Sequence, residues 1–113
     1  MIEKIMLDYL GDALDVPVYM EEPEDKPTSY VLLEKVGSSE YNHIPVANIA
    51  VQSYGASLYE AAVLNETVKR AMMNAIQLTE IGAVRLNSDY NFTDTETKRY
   101  RYQAIFVITY MEE

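Results

Sequence analysis

The sequence predicts an α+β domain with one mostly antiparallel or mixed β-sheet of about four to five strands and two helices on one face. Apolar residues recur at helical spacing in two segments, one at the start of the chain and one in its middle. The other segments are short and alternate between apolar and polar residues, as strands do. Three such segments precede the long helix and two follow it, which gives the order α-β-β-β-α-β-β and favours an α+β domain.

Size and composition fit a single folded domain over residues 1–113. The chain has 49% hydrophobic and 24% charged residues, which is ordinary globular usage. It has no cysteine, so disulfides, thiolate nucleophiles and thiolate metal sites are all excluded. No apolar run is long enough to span a bilayer, and acidic residues interrupt the first fourteen positions where a signal peptide needs an apolar centre. We therefore expect no contact with a membrane.

The first predicted helix covers Met1–Leu14. Its apolar residues fall at steps of three and four positions, so they share one face, while acidic and basic residues take the other. Asp15 and Pro17 end it, because the residue before a proline is disfavoured in helical conformation and proline lacks an amide donor. A short strand over Val16–Glu21 is expected next.

Two more strands are predicted before the second helix. The segment EEPEDKPTS reads as a loop at a sheet edge, since it has two prolines and no apolar period. Ser29–Val36 is rich in β-forming residues, and Val46–Tyr54 alternates between an apolar and a more polar side. The SSEYNHIP segment between these strands is expected to be a polar link.

A long helix is predicted from Leu58 to about Leu78. Ser57 and Glu60 form the spacing of a capping box, in which side chains satisfy free amides at a helix start. The expected apolar stripe is rich in small side chains, which lets a helix lie close to a sheet. It consists of Leu58, Ala61, Ala62, Val68, Met72, Ala75 and Ile76.

The last two strands are predicted over Ala83–Tyr90 and Lys98–Met111, joined by the NFTDTET turn. In the last strand Arg101 begins one face, which continues through Gln103, Ile105, Val107 and Thr109. Tyr100 begins the other, which continues through Tyr102, Ala104, Phe106, Ile108 and Tyr110. Because its second half is apolar on both sides, this strand is expected to end in the middle of the sheet.

Two helices on one face leave the other face of the sheet uncovered. Ten tyrosines and no tryptophan in a chain of this length suit a surface that is partly apolar and partly wet, as interfaces often are.

The sequence offers little for catalysis, and we expect no enzyme activity, no cofactor and no metal. The single histidine, His43, lies in a polar segment with no nucleophile beside it. The acidic cluster of Glu21, Glu22, Glu24 and Asp25 lacks the ligand spacing and the glycine of a calcium loop. All four glycines stand alone, so no phosphate-binding loop is present.

One basic and aromatic run, KRYRY over Lys98–Tyr102, stands out in an acidic chain of formal charge −9. Such a run is typical of surfaces that stack bases and hold phosphates. It is also the pattern of a solvent-facing strand start, which is the first interpretation, and of a protein interface, which is the second. The net negative charge opposes nucleic-acid binding, which depends largely on a positive field.

Two segments together resemble a known protein family. They are IAVQSYGASLYEAAVLNETVKRAM and LNSDYNFTDTETKRYRYQAIFVITY, and the likeness covers roughly residues 49–110. They are similar to small tail completion or minor tail proteins, encoded among the head-to-tail and tail genes of long-tailed bacteriophages and of prophages of Gram-positive bacteria. The order of elements also resembles that of tail terminators.

The resemblance implies a structural virion protein without catalytic residues. Its subunits would form a ring, commonly of six, that caps the tail tube and joins it to the head connector at the tail-head junction. Assembly would take place in the host cytoplasm, and DNA would pass through the ring without specific binding. A head-tail connector component and a small nucleic-acid-binding module are the alternatives.

The resemblance also suggests contact residues for a neighbouring subunit or the tail tube. They lie in the predicted turn and just after it, and are Tyr90, Asn91, Phe92, Thr93, Asp94, Lys98, Arg99 and Arg101.

Overall fold

A computed structural model describes residues 1–111 and confirms the predicted class and order of elements. Its helices and strands are α1 (Ile2–Ala13), β1 (Val18–Tyr19), β2 (Tyr30–Tyr41), β3 (Ile44–Tyr54), α2 (Leu58–Asn74) with a 3₁₀ turn (Ala75–Gln77), β4 (Ile81–Asn91) and β5 (Arg101–Tyr110). They form one five-stranded sheet in the order β1-β2-β3-β5-β4. Strand β1 is parallel to β2 and all other neighbours are antiparallel, so the sheet is mixed.

Both helices pack on the same face of this sheet. Met6 and Leu10 of α1 and Met72 of α2 are fully buried in one cluster with the strand residues beneath them. The strand residues of that cluster include Val31, Leu33, Ala47, Ile49, Val51, Ala104, Phe106 and Ile108. Tyr9 of α1 donates a hydrogen bond to the carbonyl oxygen of Ala71 in α2 at 2.7 Å, which fixes the two helices to each other.

The start of α2 is set by two residues. The backbone amide of Glu60 donates to Ser57 Oγ at 3.1 Å, so the predicted serine cap is present. Gly55 precedes it at a very close approach, because a Cβ at that position would lie 2.5 Å from the backbone nitrogen of Ala61. Only glycine lets the chain turn from β3 into α2 at this distance.

The predicted apolar stripe of α2 is wrong at both ends. Leu58 and Ile76 are 40% and 50% exposed, whereas Asn65, which the stripe leaves out, is buried. Ile76 lies in the 3₁₀ turn, whose tighter winding changes the direction of its side chain. The Asn65 side chain faces the sheet and donates to Asp89 Oδ1 of β4 at 3.2 Å, so a polar contact holds that position.

The predicted polar link between the second and third strands is also wrong. Strands β2 and β3 continue toward each other until only Asn42 and His43 separate them. Both residues have positive φ, 50° and 67°, as the two central residues of a type I′ hairpin turn do. His43 is therefore an exposed residue at the tip of a long hairpin.

Other boundaries differ by a few residues. The first strand is only Val18–Tyr19, and β4 begins at Ile81, two positions earlier than predicted. Strand β5 begins at Arg101 instead of Lys98, whose φ of 55° places it in a turn.

Candidate assembly interface

The face of the sheet opposite the helices, here called the open face, has an apolar centre. In one row across it, Ala50 of β3 lies between Glu34 of β2 and Ile105 of β5. In the next row Asn48 pairs with Val107. Ile105 and Val107 are half-buried although no helix covers this side. Because each is next to the core strand positions Phe106 and Ile108, the β-pleat requires them to point away from the core.

At one end of the open face two tyrosines pack against each other. Tyr30 and Tyr54 are cross-strand partners on β2 and β3, and their rings stack at 4.4 Å with an interplanar angle of 5°. Tyr19 adds an edge contact to Tyr30 at 6.0 Å. Tyr30 and Tyr54 are only 2% and 3% exposed, so the loops on either side must cover them.

Arg99 supplies much of that cover by linking two loops. Its guanidinium lies 4.8 Å from the centre of the Tyr54 ring and makes a two-point ion pair with Glu22. Tyr30 donates to the same carboxylate at 2.9 Å. The hydrogen bonds from Arg99 lower the pKa of Glu22 from its usual 4.5 to about 2. Burial, together with the bond to Glu22, raises the pKa of Tyr30, so its hydroxyl stays protonated.

Arg101 continues this arrangement along the open face. Its Nη1 donates to the Tyr54 hydroxyl at 2.8 Å, and its guanidinium lies 4.4 Å from the centre of the Phe92 ring. The Tyr54 hydroxyl donates in turn to Gln52 at 3.1 Å, and Gln52 donates to Gln103 at 2.8 Å. A chain of hydrogen bonds therefore crosses β3 and β5.

We call this raised end of the open face the tyrosine ridge, and it consists of Glu22, Tyr30, Tyr54, Arg99 and Arg101. The amide chain ends at Tyr90 of β4, whose hydroxyl accepts from Gln103 Nε2. Every residue of the ridge makes at least one side-chain hydrogen bond to another residue, and such a network favours a single arrangement of the side chains.

The loop between β4 and β5, residues 92–100, is also internally bonded. Asn91 Oδ1 accepts from the backbone amide of Thr93 at 3.0 Å, and Asp94 Oδ1 accepts from that of Glu96 at 3.0 Å. The Thr97 side chain and backbone bonds lower the pKa of Asp94, so the turn prefers the ionised carboxylate. The Thr93 hydroxyl accepts from the backbone amide of Arg101 at 3.3 Å. Asparagine and aspartate side chains of this kind define turns by bonding to amides two residues ahead.

The eight predicted contact residues therefore divide into three sets. Arg99 and Arg101 belong to the ridge, and Asn91, Thr93 and Asp94 shape the loop. Tyr90, Phe92 and Lys98 form the third set and are exposed to solvent, as Asn91 also is. Tyr90 is 40% and Phe92 39% exposed, with their rings in an edge contact at 5.8 Å, and Lys98 is exposed in the turn.

Sequence reasoning missed the partners of the two arginines. From the sequence alone, Glu22 is one of four acids in a predicted loop, and Tyr30 and Tyr54 are residues of two predicted strands. The signal that could have joined them is the hairpin turn at Asn42, because its position fixes which residues of β2 and β3 lie opposite each other. A bulge between Lys35 and Gly37 shifts that pairing by one, so the turn alone would have placed Tyr30 incorrectly.

Grooves of the described residues also lie away from the open face, and two of them border α1 and α2. One, of about 540 Å³, runs between α1 and the 3₁₀ turn and carries Asp8, Asp12 and Glu80 on its walls. The other, of about 390 Å³, lies between α2 and β4 at the edge of the sheet, with Met73 and Leu86 beside basic residues. Within residues 1–111, acidic and histidine side chains form no group arranged to hold a metal ion.

The chain matches no protein-family model and no curated protein. Over the described residues, helices are too short or too polar to cross a membrane.

Proposed function

We propose that this protein is a structural subunit of a bacteriophage or prophage particle, which forms a ring that caps the tail tube and joins the tail to the head. The observation that carries the proposal is the open face of the sheet. It has an apolar centre in which Ile105 and Val107 are half-buried, and a hydrogen-bonded ridge at one end, and neither helix of the described residues packs on it. An uncovered apolar patch of this kind on a soluble domain is typical of an interaction surface.

The resemblance of residues 49–110 to tail completion proteins supports the same function. The two segments that carry it meet in space, because β3 pairs with β5 over nine residue pairs from Val46–Thr109 to Tyr54–Arg101. The exposed side chains Tyr90, Phe92 and Lys98 form the part of the loop that would contact a neighbouring subunit or the tail tube.

Charge is consistent with a passage for DNA through the ring. A protein of net charge −9 repels phosphates, so DNA would move past it without being held. No cofactor or metal takes part in this function. In the virion the protein would lie at the tail-head junction, and before assembly in the host cytoplasm.

A head-tail connector component is the second structural role that fits the same surface. The two roles differ in the particle that remains when the protein is missing. Loss of a terminator leaves abnormally long tails, whereas loss of a connector leaves normal tails that are not attached to heads. Electron microscopy of particles made without this gene distinguishes them, and particles of normal form and infectivity would contradict both.

A small nucleic-acid-binding module is the remaining alternative, and the geometry disfavours it. Arg99 and Arg101 are the central cations of the KRYRY run, and both are bound to protein groups. A shift assay at low salt tests this directly. Binding that is lost on Lys98→Glu would favour the module over the ring.

A further inference from the structure

The two edge strands of the sheet run in opposite directions, which is the arrangement that antiparallel joining of two copies requires. Three antiparallel steps separate β2 from β4, so these strands run in opposite directions. Strand β1 covers only Val31 and Leu32 of β2, which leaves residues 33–41 as an edge. Strand β4 is the last strand at the opposite side. The β4 edge of one copy can therefore add to the β2 edge of another as one more antiparallel pair.

The regular parts of these two edges lie at the same level of the sheet. Bulges interrupt β4 next to Gly82 and Asn87, so only residues 83–86 are regular between them. In β2 the regular part is residues 37–41, beyond the bulge at Val36. Gly37 and Arg85 share one row through Asn48 and Val107. A second copy added without any shift therefore places residues 83–85 of β4 opposite residues 37–39 of β2.

Charges on the open face complement each other at this joint. Arg85 on β4 is exposed, and Glu34 on β2 is exposed one row away from Gly37. Neither takes part in an ion pair among the described residues. In the joined sheet Arg85 would lie diagonal to Glu34 of the second copy, a separation that long side chains bridge.

The helix side of the same joint combines a partly apolar groove with an ion pair. The groove between α2 and β4 has Met73 and Leu86, 44% and 37% exposed, together with Arg70. The corresponding side of the β2 edge carries Glu3 of α1, whose carboxylate lies 3.7 Å from Lys35 Nζ. Joining the edges brings this ion pair next to the groove with its exposed apolar side chains, since both helices lie on one face of the sheet.

We propose that copies of this chain join edge to edge, with residues 83–86 of β4 forming an antiparallel ladder with residues 37–41 of β2 in the next copy. The occupant of the groove between α2 and β4 is then the α1–β2 edge of that copy. The contact uses two different surfaces of the subunit, so it is heterologous. Each added copy is rotated relative to the last by the twist of the sheet, and repetition of this contact therefore produces a ring or a helix of subunits. This joint rests on the proposed function in one respect, since it identifies the strands through which neighbouring subunits of the ring would contact each other.

Charge reversal on the full chain tests the joint. Arg85→Glu and Glu34→Arg should each weaken self-association about tenfold, measured by light scattering during size-exclusion chromatography over a concentration series. The double variant should recover self-association, because the two positions again carry opposite charges, with the signs exchanged. Asp25→Arg is the matched control for Glu34→Arg, since it makes the same change of charge in the loop before β2 and should leave the association unchanged.

Hydrogen exchange gives an independent readout that does not depend on charge. Amides of residues 83–86 and 37–41 should exchange more slowly as the protein concentration rises, while those at the hairpin tip do not change. Oligomers that form equally well in both single variants, with no concentration-dependent protection at these edges, would overturn the joint but leave the ring intact. A wild-type chain that stays monomeric at every concentration, alone and with tail tubes, would overturn both.

Discussion

Arg99 makes a bidentate ion pair with Glu22, with Nη1–Oε2 and Nη2–Oε1 distances of 2.9 and 3.0 Å, although 77 positions separate the two residues. The pair connects the loop before β2 to the loop before β5, at opposite sides of the two stacked tyrosines. It therefore closes the tyrosine ridge and fixes the position of the exposed loop beside it. The two arginines of the basic run KRYRY, a pattern typical of nucleic-acid sites, are therefore part of the fold.

Loss of this ion pair should destabilise the protein in a pH-dependent way. Glu22→Gln is expected to lower the free energy of unfolding by about 1 kcal/mol at pH 7, a modest value because the carboxylate is partly open to solvent. The pKa of Glu22 is lowered from 4.5 to about 2 in the folded state, so its contribution is complete above pH 4.5 and disappears as the pH falls toward 2. Urea denaturation of both proteins across this range measures the difference, and a constant difference would rule out the ion pair as its source.

The hydroxyl of Tyr54 should contribute separately from its ring. Tyr54→Phe keeps the stack with Tyr30 but leaves Arg101 and Gln52 without a shared partner, and should cost about 1–2 kcal/mol of stability. Tyr59→Phe is the control, because Tyr59 is 78% exposed and should change stability by less than about 0.5 kcal/mol. Equal effects of the two changes in urea denaturation would mean that the hydroxyl network adds nothing.

Gly55 should tolerate no side chain. In Gly55→Ala the new methyl group meets the backbone of α2, which cannot move without disturbing the helix start, and a loss of about 1–3 kcal/mol is expected. Gly11→Ala is the matched change in α1, where nothing lies within 4 Å of the added carbon, and it should stabilise by about 0.5–1 kcal/mol. Thermal unfolding followed by circular dichroism compares them. A stable Gly55→Ala protein would show that the turn has more room than the structure gives it.

The hairpin tip should gain stability from glycine. His43 has a φ of 67°, a conformation that glycine adopts without steric cost and that is uncommon for residues with a side chain. His43→Gly produces Asn-Gly, the preferred sequence for this turn, and should raise stability by about 0.5–1 kcal/mol. His43→Val should lower it. The same direction of change in both would mean that the turn type is different.

The sequence was sufficient for the class of fold and the order of elements because these depend on periodicity. The alternation in Val46–Tyr54 and in the last strand is strong, and so is the serine cap at Ser57. Each is a local signal, and each was read correctly. The Asn42–His43 turn was missed because it lacks the glycine that usually marks such a hairpin.

The site was less predictable because its contacts are long-range. The sequence indicates no partner for the side chains of Arg99 and Arg101. Only the tertiary structure shows that they contact Glu22, Tyr54 and Phe92. Asn65 shows the same limit inside the core, where its bond to Asp89 depends on the crossing of α2 over β4. Periodicity locates faces, but it does not give the partner of a polar group.

We propose that this chain assembles into a ring through its sheet. The molar mass of the assembly in solution tests this most directly. Light scattering of the purified chain, alone and with purified tail tubes, should show one closed oligomer, commonly of six subunits of 12.9 kDa, on its own at high concentration or on the end of the tube. A monomer at all concentrations that also fails to bind tail tubes would contradict the claim.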